Sequence, residues 1–538
     1  MASTNALLDR LELGKRDPAD GSQIENLIKQ LGARRLRDAA SVIRFHEALL
    51  FFRAYPANAK IIQLTDELLA TIPDRIGRLP DLEPFEEPDV SGISGTAFSA
   101  IFTYDIARWL VENHPSDVEI DWNCTDADLI GPLLRIIHPF YAEDALVEAN
   151  IPNLEWFRAS KTNPQSDLQH LTAKLDEFLW GGRPRPRRTS RSGHLAIPEQ
   201  ADVDVGRGPG GPPHWLLSAL FANAKIAIRW NLGRGPLTRS NLRLPKPRKT
   251  FYHAAPLLRR SDVSLNAELS SPPLPITKLT PRAGEQFLDL ARETSAMRYR
   301  ELHGFTYGDP SRVIHADLGR GVEVFVNGVP PEHRLPLRAY HSGMFFKNAV
   351  PIGYIECLTL FDRMEVGFNL YYTFREGETA WLYARLLHLF RQMLGVNCFS
   401  VDPYQIGLHN EEAIDSGAFW FYRKLGFRPV SAEVAKLLAS EEKKLKTNPT
   451  YRTPPQTLRR LAESGMIYEG PGSTPGAWDH FDVHRMAMSL ERNPFSTEIQ
   501  RAKRAPEEAR YVRMLEEPAT MKPWRVSKPR RRPKPLPG

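Results

Sequence analysis

Three groups of residues in this chain have types and spacings that could do chemistry. The first is Tyr422, in the run AFWFYRKLGF, where Ala418, Phe421, Tyr422 and Leu425 recur at helical spacing and Gly426 and Phe427 close the turn. A phenol on an aromatic helix face is either a core group with its hydroxyl satisfied or a proton donor. The second is Arg375-Glu376-Gly377-Glu378-Thr379-Ala380, between an alternating, aromatic-rich run and an apolar-striped helix. Backbone N–H groups at such a helix start can hold an anion, aided by the helix dipole. The third comprises Glu356, Glu365 and His341, each in or beside a strand-like run, able to take a proton or to serve structure alone. Metal and covalent-nucleophile chemistry have no motif. The fifteen histidines never form His-Glu-x-x-His, and neither Cys-x-x-Cys nor Gly-x-Ser-x-Gly occurs.

The elements that must position these groups follow in a definite order. Residues 336–346, 350–360 and 364–374 read as three strands joined by tight turns at Lys347-Asn348 and Asp362-Arg363. Residues 381–394 read as a helix with Leu382, Leu386, Leu389, Phe390 and Met393 on one side, followed by the short apolar strand 396–401. A helix over 281–302, N-capped by Thr280 with Pro281 at its first position, precedes them.

Over residues 281–430 this order, with the pattern Ala418-x-x-x-Tyr422-x-x-x-Gly426-Phe427, resembles the GNAT-type acyl-CoA N-acyltransferases. The resemblance implies acetyl-CoA or another acyl-CoA as cosubstrate, no metal, and direct attack of an amine on the thioester. Tyr422 would then be the acid that protonates the departing thiolate, and Glu356, Glu365 or His341 the base. Arg375, Gly377, Thr379 and Ala380 would form the pyrophosphate loop, and Asn410 or Asp415 would stand for the family's asparagine before the last helix. Where the family loop carries its first glycine this chain has Glu378, an acid that repels phosphate unless it turns outward. The functional expectation is an N-acyltransferase acting on an unidentified amine. The alternative is a catalytically silent GNAT-like module in a binding or scaffold protein.

A chain of 538 residues exceeds one core, and 45 prolines imply much irregular backbone. Apolar stripes at Ile24, Leu27, Ile28 and Leu31, then at Val42, Ile43, Leu49 and Phe52, with further helices over 61–72, 96–113, 127–140 and 168–179, predict a helical domain over residues 1–180. A Pro/Gly/Arg-rich linker at 181–213 cannot form a core. A basic, partly irregular connecting segment, 214–280, opens with a helix over 214–228. The acyltransferase-like domain at 281–430, a helical extension at 431–515 and a disordered basic tail at 516–538 complete an α+β multidomain chain. Its mixed sheet is expected to be flanked by helices.

Residues 234–260, from Arg234 to Arg260, hold eight basic side chains and no acid, interleaved with Phe251, Tyr252 and His253. They suit either a nucleic-acid strand or a solvated loop. The tail from 522 carries seven basic residues against a net charge of +7 for the whole chain, so the excess belongs to an appendage. It could touch RNA, anionic lipid or an acidic partner, or serve only solubility. No signal-peptide core or transmembrane stretch is read, and three widely separated cysteines, Cys124, Cys357 and Cys398, fit a reducing, cytoplasmic setting.

Overall fold

The structure is a computed structural model that describes residues 3–180 and 214–476, apart from 139, 163, 246–248, 336–337, 361–362 and 474–475. The expected linker and tail, and the extension beyond 476, lie outside the described residues.

Among the described residues twelve strands form two sheets. β1 (Ala97–Ile101), β2 (Val118–Ile120) and β3 (Ala227–Asn231) make a small antiparallel sheet in the order β1-β3-β2. The large sheet contains β4 (Ile276–Lys278), β5 (Val313–Gly319), β6 (Val322–Gly328), β7 (Ala339–Lys347), β8 (Val350–Leu360) and β9 (Arg363–Leu370). It is completed by β10 (Cys398–Val401), β11 (Arg428–Pro429) and β12 (Met466–Glu469), in the order β11-β12-β10-β9-β8-β7-β6-β5-β4. Among its described pairings only β9 and β10 run parallel, which requires a crossover. The helix Thr379–Leu394 supplies it and ends on Gly395 in the left-handed region at φ 67°.

The two faces of β9 carry different chemistry. Met364, Val366, Phe368 and Leu370 are buried, and Phe368 meets Tyr383 of the crossover helix at 5.1 Å. Glu365, Gly367 and Asn369 therefore stand on the opposite face. That face is served by the helix Pro281–Ala296, which Thr280 caps through the Ala283 amide at 3.3 Å.

Several expectations are corrected. The helix predicted over 96–113 is strand β1 followed by the helix Tyr104–Asn113, and that over 214–228 is the helix His214–Asn223 followed by β3. In both places apolar residues continue through the break, so helical spacing hid a strand that needs only five residues. The helix from Pro281 stops at Ala296, short of 302, and β9 stops at Leu370, before the single turn Tyr372–Phe374. Beyond 430 the chain returns to the sheet as β12, pairing antiparallel with β10 and β11, where only helices were expected.

The helical segment 1–180 does not share one core. The helix Ala39–Ala54 is apolar nearly all round, with Phe45, Leu49, Phe51 and Phe52 fully enclosed, so it needs cover on every side. It obtains that cover by joining the core of the large sheet, together with residues from Leu7 to Ile93. A second core, from Phe98 to Leu242 around the small sheet, also takes in Ala296 and Met297, and Leu290 packs against both cores.

Candidate functional site

β9 and β10 part company near their start. Their pairing covers only Cys398↔Arg363, Phe399↔Met364 and Ser400↔Glu365, whereas β9 stays paired with β8 as far as Leu370. The edge of β9 from Val366 to Leu370 is thus open toward β10. Tyr371 N–H donates to the Ile352 carbonyl on β8 at 3.0 Å, so strand alternation turns the Leu370 and Phe368 amides toward the opening. A cavity of about 320 Å³ occupies this place, lined on one side by Phe368, Ala418, Phe421 and Tyr422. Its other walls include Tyr354, Asn369, Tyr371, Arg298 and Arg300.

At the mouth lies the start of the crossover helix. Arg375 and Thr379 line the cavity, and the Thr379, Ala380 and Trp381 amides have no hydrogen-bond partner among the described residues. A helix start with three free N–H groups is suited to an anion. Glu378 does not oppose this, because it turns inward, not outward: it is 2% exposed, accepts from the Leu258 amide at 3.1 Å and is clamped by Arg320. Burial alone would raise its pKa, but Arg320 and the Lys347 ammonium 3.6 Å away hold it below the ordinary carboxylate value.

The structure brings together some of the residues singled out in the sequence and separates others. Tyr422, Arg375, Thr379 and Asn410 line the cavity. Asn410 is there as the N-cap of the helix Glu411–Asp415, accepting from the Ala413 amide at 3.1 Å, while Asp415 closes the same helix outside the lining. Gly377 and Ala380 are not lining residues. A Cβ on Gly377 would lie 2.3 Å from the Tyr55 hydroxyl, so glycine is required there by the close approach of the N-terminal helix, and Ala380 is packed inside. Glu356 accepts a hydrogen bond from Tyr340, and Glu365 pairs with Arg338 at 3.4 Å; both sit on the far face of the sheet and outside the cavity lining. His341 is also outside it, and burial pulls its pKa down to about 4.

Tyr422 is held by rings. It meets Tyr383 at 5.5 Å and Phe427 at 5.7 Å, both near-perpendicular, and its hydroxyl makes no hydrogen bond among the described residues. Burial raises its pKa, so the phenol keeps its proton at neutral pH and can donate it. Arg375 reaches Glu412 across the mouth, which joins the helix start to the segment carrying Asn410.

Part of the basic segment 234–260 is engaged by acids of the fold. Arg239 is buried against Glu47 at 2.6 Å, Arg234 meets Asp74 at 2.5 Å, and Arg243 meets Asp66 at 3.5 Å. His253 is enclosed between Tyr55 and Phe251. Sequence reasoning missed Arg298, Arg300 and Tyr371 as lining residues. The alternation MRYR at 297–300 was the available signal, masked by the expectation that the helix from Pro281 ran through it. Among the described residues no group of His, Cys, Asp and Glu could hold a metal ion, and no helix is long and apolar enough to cross a membrane. Comparison of the chain with family models, with curated proteins and with solved structures finds no match.

Proposed function

We propose that this chain is an acyl-CoA-dependent N-acyltransferase that passes an acyl group to an amine by direct attack on the thioester. The observation that carries this reading is the parting of β9 from β10 over a cavity reached by both a free helix start and the Tyr422 phenol. The residues fit a coenzyme with anionic and extended parts. The Thr379, Ala380 and Trp381 amides suit its phosphates, and the open edge of β9 offers backbone partners for an extended arm.

The bound thioester would supply an activated acyl carbon and a thiolate leaving group. On the protein's side, the Phe368 and Leu370 amides face the opening and can polarise a carbonyl placed there. Tyr422, protonated at neutral pH, gives its proton to the departing sulfur. Among the described residues, Asp89 and Glu412 are the acids that line the cavity; Glu412 is engaged by Arg375, which leaves Asp89 as the candidate to receive the proton of the attacking ammonium through water.

The test is calorimetric titration of acetyl-CoA and a longer acyl-CoA into the purified chain, beside an Ala418→Phe variant that fills the cavity. Micromolar binding to the natural chain, lost in the variant, is expected. If a well-folded chain binds neither thioester, the reading falls and the catalytically silent module takes its place.

A further inference from the structure

The cavity has two faces, and one of them holds a positive charge with no ion-pair partner among the described residues. Phe368 and Tyr422 stand on the side of the crossover helix, together with the helix start that suits phosphates. Tyr354 pairs with Asn369 in the sheet, and both point to the other side, where Tyr371 and Arg298 also lie.

Arg298 is only 7% exposed. Its Nη1 donates to the Thr294 carbonyl at 2.8 Å, and its guanidinium lies 4.2 Å from the centre of the Tyr371 ring. Its Nε is buried with no acceptor, and no carboxylate pairs with it among the described residues. The hydroxyl of Tyr371 is likewise buried without a partner. Arg300, exposed, adds a second cation on the same wall. Arg239, by contrast, is already satisfied by Glu47, Thr373 and the Asp89 carbonyl. A guanidinium taken out of water without a counter-ion costs several kcal/mol, and a phenol without an acceptor adds to that cost. An anion from a ligand would relieve both at once.

We infer that Arg298, with Tyr371 and Arg300, binds a carboxylate carried by the substrate, on the side of the sheet opposite the coenzyme's phosphates. The inference rests on the acyltransferase reading for the identity of the site but not for the presence of the carboxylate pocket. The planar fork of arginine matches a carboxylate with two parallel hydrogen bonds, and the phenol supplies a third donor. The carboxylate could come from the amine acceptor, as in an amino acid, or from the acyl group, as in a dicarboxylic monothioester.

The experiment uses the full chain and matched probes. With acetyl-CoA as donor, thiol release is followed for glycine against methylamine, β-alanine against ethylamine, and γ-aminobutyrate against propylamine. With one amine held fixed, succinyl-CoA is compared with butyryl-CoA. At least one carboxylate-bearing member is expected to exceed its partner about tenfold in kcat/KM, the worth of one charge-assisted contact. Arg298→Met should abolish that preference by raising KM, Arg298→Lys should restore part of it, and the acetyl-CoA affinity should stay unchanged in both. Tyr371→Phe, which removes no charge, should weaken the preference without altering the fold. A preference in the amine series assigns the carboxylate to the acceptor, and one in the thioester series assigns it to the acyl group. Equal rates within every pair, or a preference that survives Arg298→Met, would overturn the inference while leaving the acyltransferase reading intact. If no thioester binds, that reading fails, and titration with propionate still decides the pocket: saturable binding lost in Arg298→Met supports it, and no binding overturns it.

Discussion

A hydroxyl with no hydrogen-bond partner can be deleted without disturbing the fold, and the Tyr422 hydroxyl, which has none among the described residues, is an unusually clean group to test. Its ring contacts with Tyr383 and Phe427 survive in Tyr422→Phe. The melting temperature and acyl-CoA affinity should therefore stay as they are, while kcat falls by about a hundredfold, the usual weight of a general acid. A thiol-release assay checks this, and an unchanged kcat would return Tyr422 to the core as a packing group. His253 makes a second residue-scale prediction. Burial, reinforced by the Lys347 charge, pulls its pKa from 6.5 to about 3, and both ring nitrogens are enclosed without partners. The folded chain therefore binds fewer protons than the unfolded chain between pH 3 and 6.5, so stability is full above 6.5 and is lost as pH falls toward 3. His253→Phe removes that proton linkage and two unsatisfied atoms. It should raise the melting temperature at every pH, and by more at pH 5 than at pH 8; an equal gain at both would show that the imidazole does not resist protonation. At this scale the sequence showed Tyr422, Arg375, Thr379 and Asn410, because each sits in a local motif. It could not show Arg298, whose meaning comes from its lack of an ion-pair partner among the described residues, nor the direction of Glu378, which is set by Arg320 from a distant turn and Lys347 from a distant strand.

At the scale of elements, the loop before the crossover helix is built from both ends of the chain. Thr373 donates to Glu47, Tyr55 presses against Gly377, and Asn348 donates to the Ala54 carbonyl at 2.8 Å, so the helix Ala39–Ala54 forms the floor under the cavity mouth. Gly377 is consequently a packing glycine. Gly377→Ala should cost about 1–3 kcal/mol as Tyr55 is pushed away, measured by urea denaturation. The double variant Tyr55→Leu with Gly377→Ala should recover part of that loss, because the methyl then replaces the hydroxyl it struck. Additive losses in the pair would mean that the two do not meet. The strands β7, β8 and β9 and the crossover helix were legible from aromatic alternation and the apolar stripe. β5 and β6 were not anticipated, although VIHADLG and VEVFVNG are good strand sequences, because nothing in them marks the turn at Arg320-Gly321 until both positive φ angles, 52° and 72°, are seen.

For the molecule as a whole, sequence patterning marked helices near the amino end and a sheet near the carboxyl end, but not that the two share one core. Helical spacing reports that a face is apolar, not what covers it. Here the cover is the large sheet: Phe45, Leu49, Phe51 and Phe52 belong to the same buried cluster as Met344, Phe345, Tyr354 and Phe374. The tie is also ionic, since Glu47 on that helix pairs with Arg239 at 2.6 Å with both side chains at most 4% exposed. Removing either partner of such a buried pair strands a charge and typically costs about 3–5 kcal/mol. A chain comprising residues 234–476 would keep every strand of the large sheet and Arg239, yet lose both the apolar cover and Glu47, the counter-ion beneath the Tyr372–Phe374 turn. It should therefore fail to fold on its own, giving no cooperative urea transition and binding a hydrophobic dye. Adding residues 3–95 as a separate polypeptide should restore the transition, since those residues supply the missing part of that core. A cooperative transition from the shorter chain alone would mean that the N-terminal helices are a dispensable attachment, and the cavity would then have to be explained without its floor.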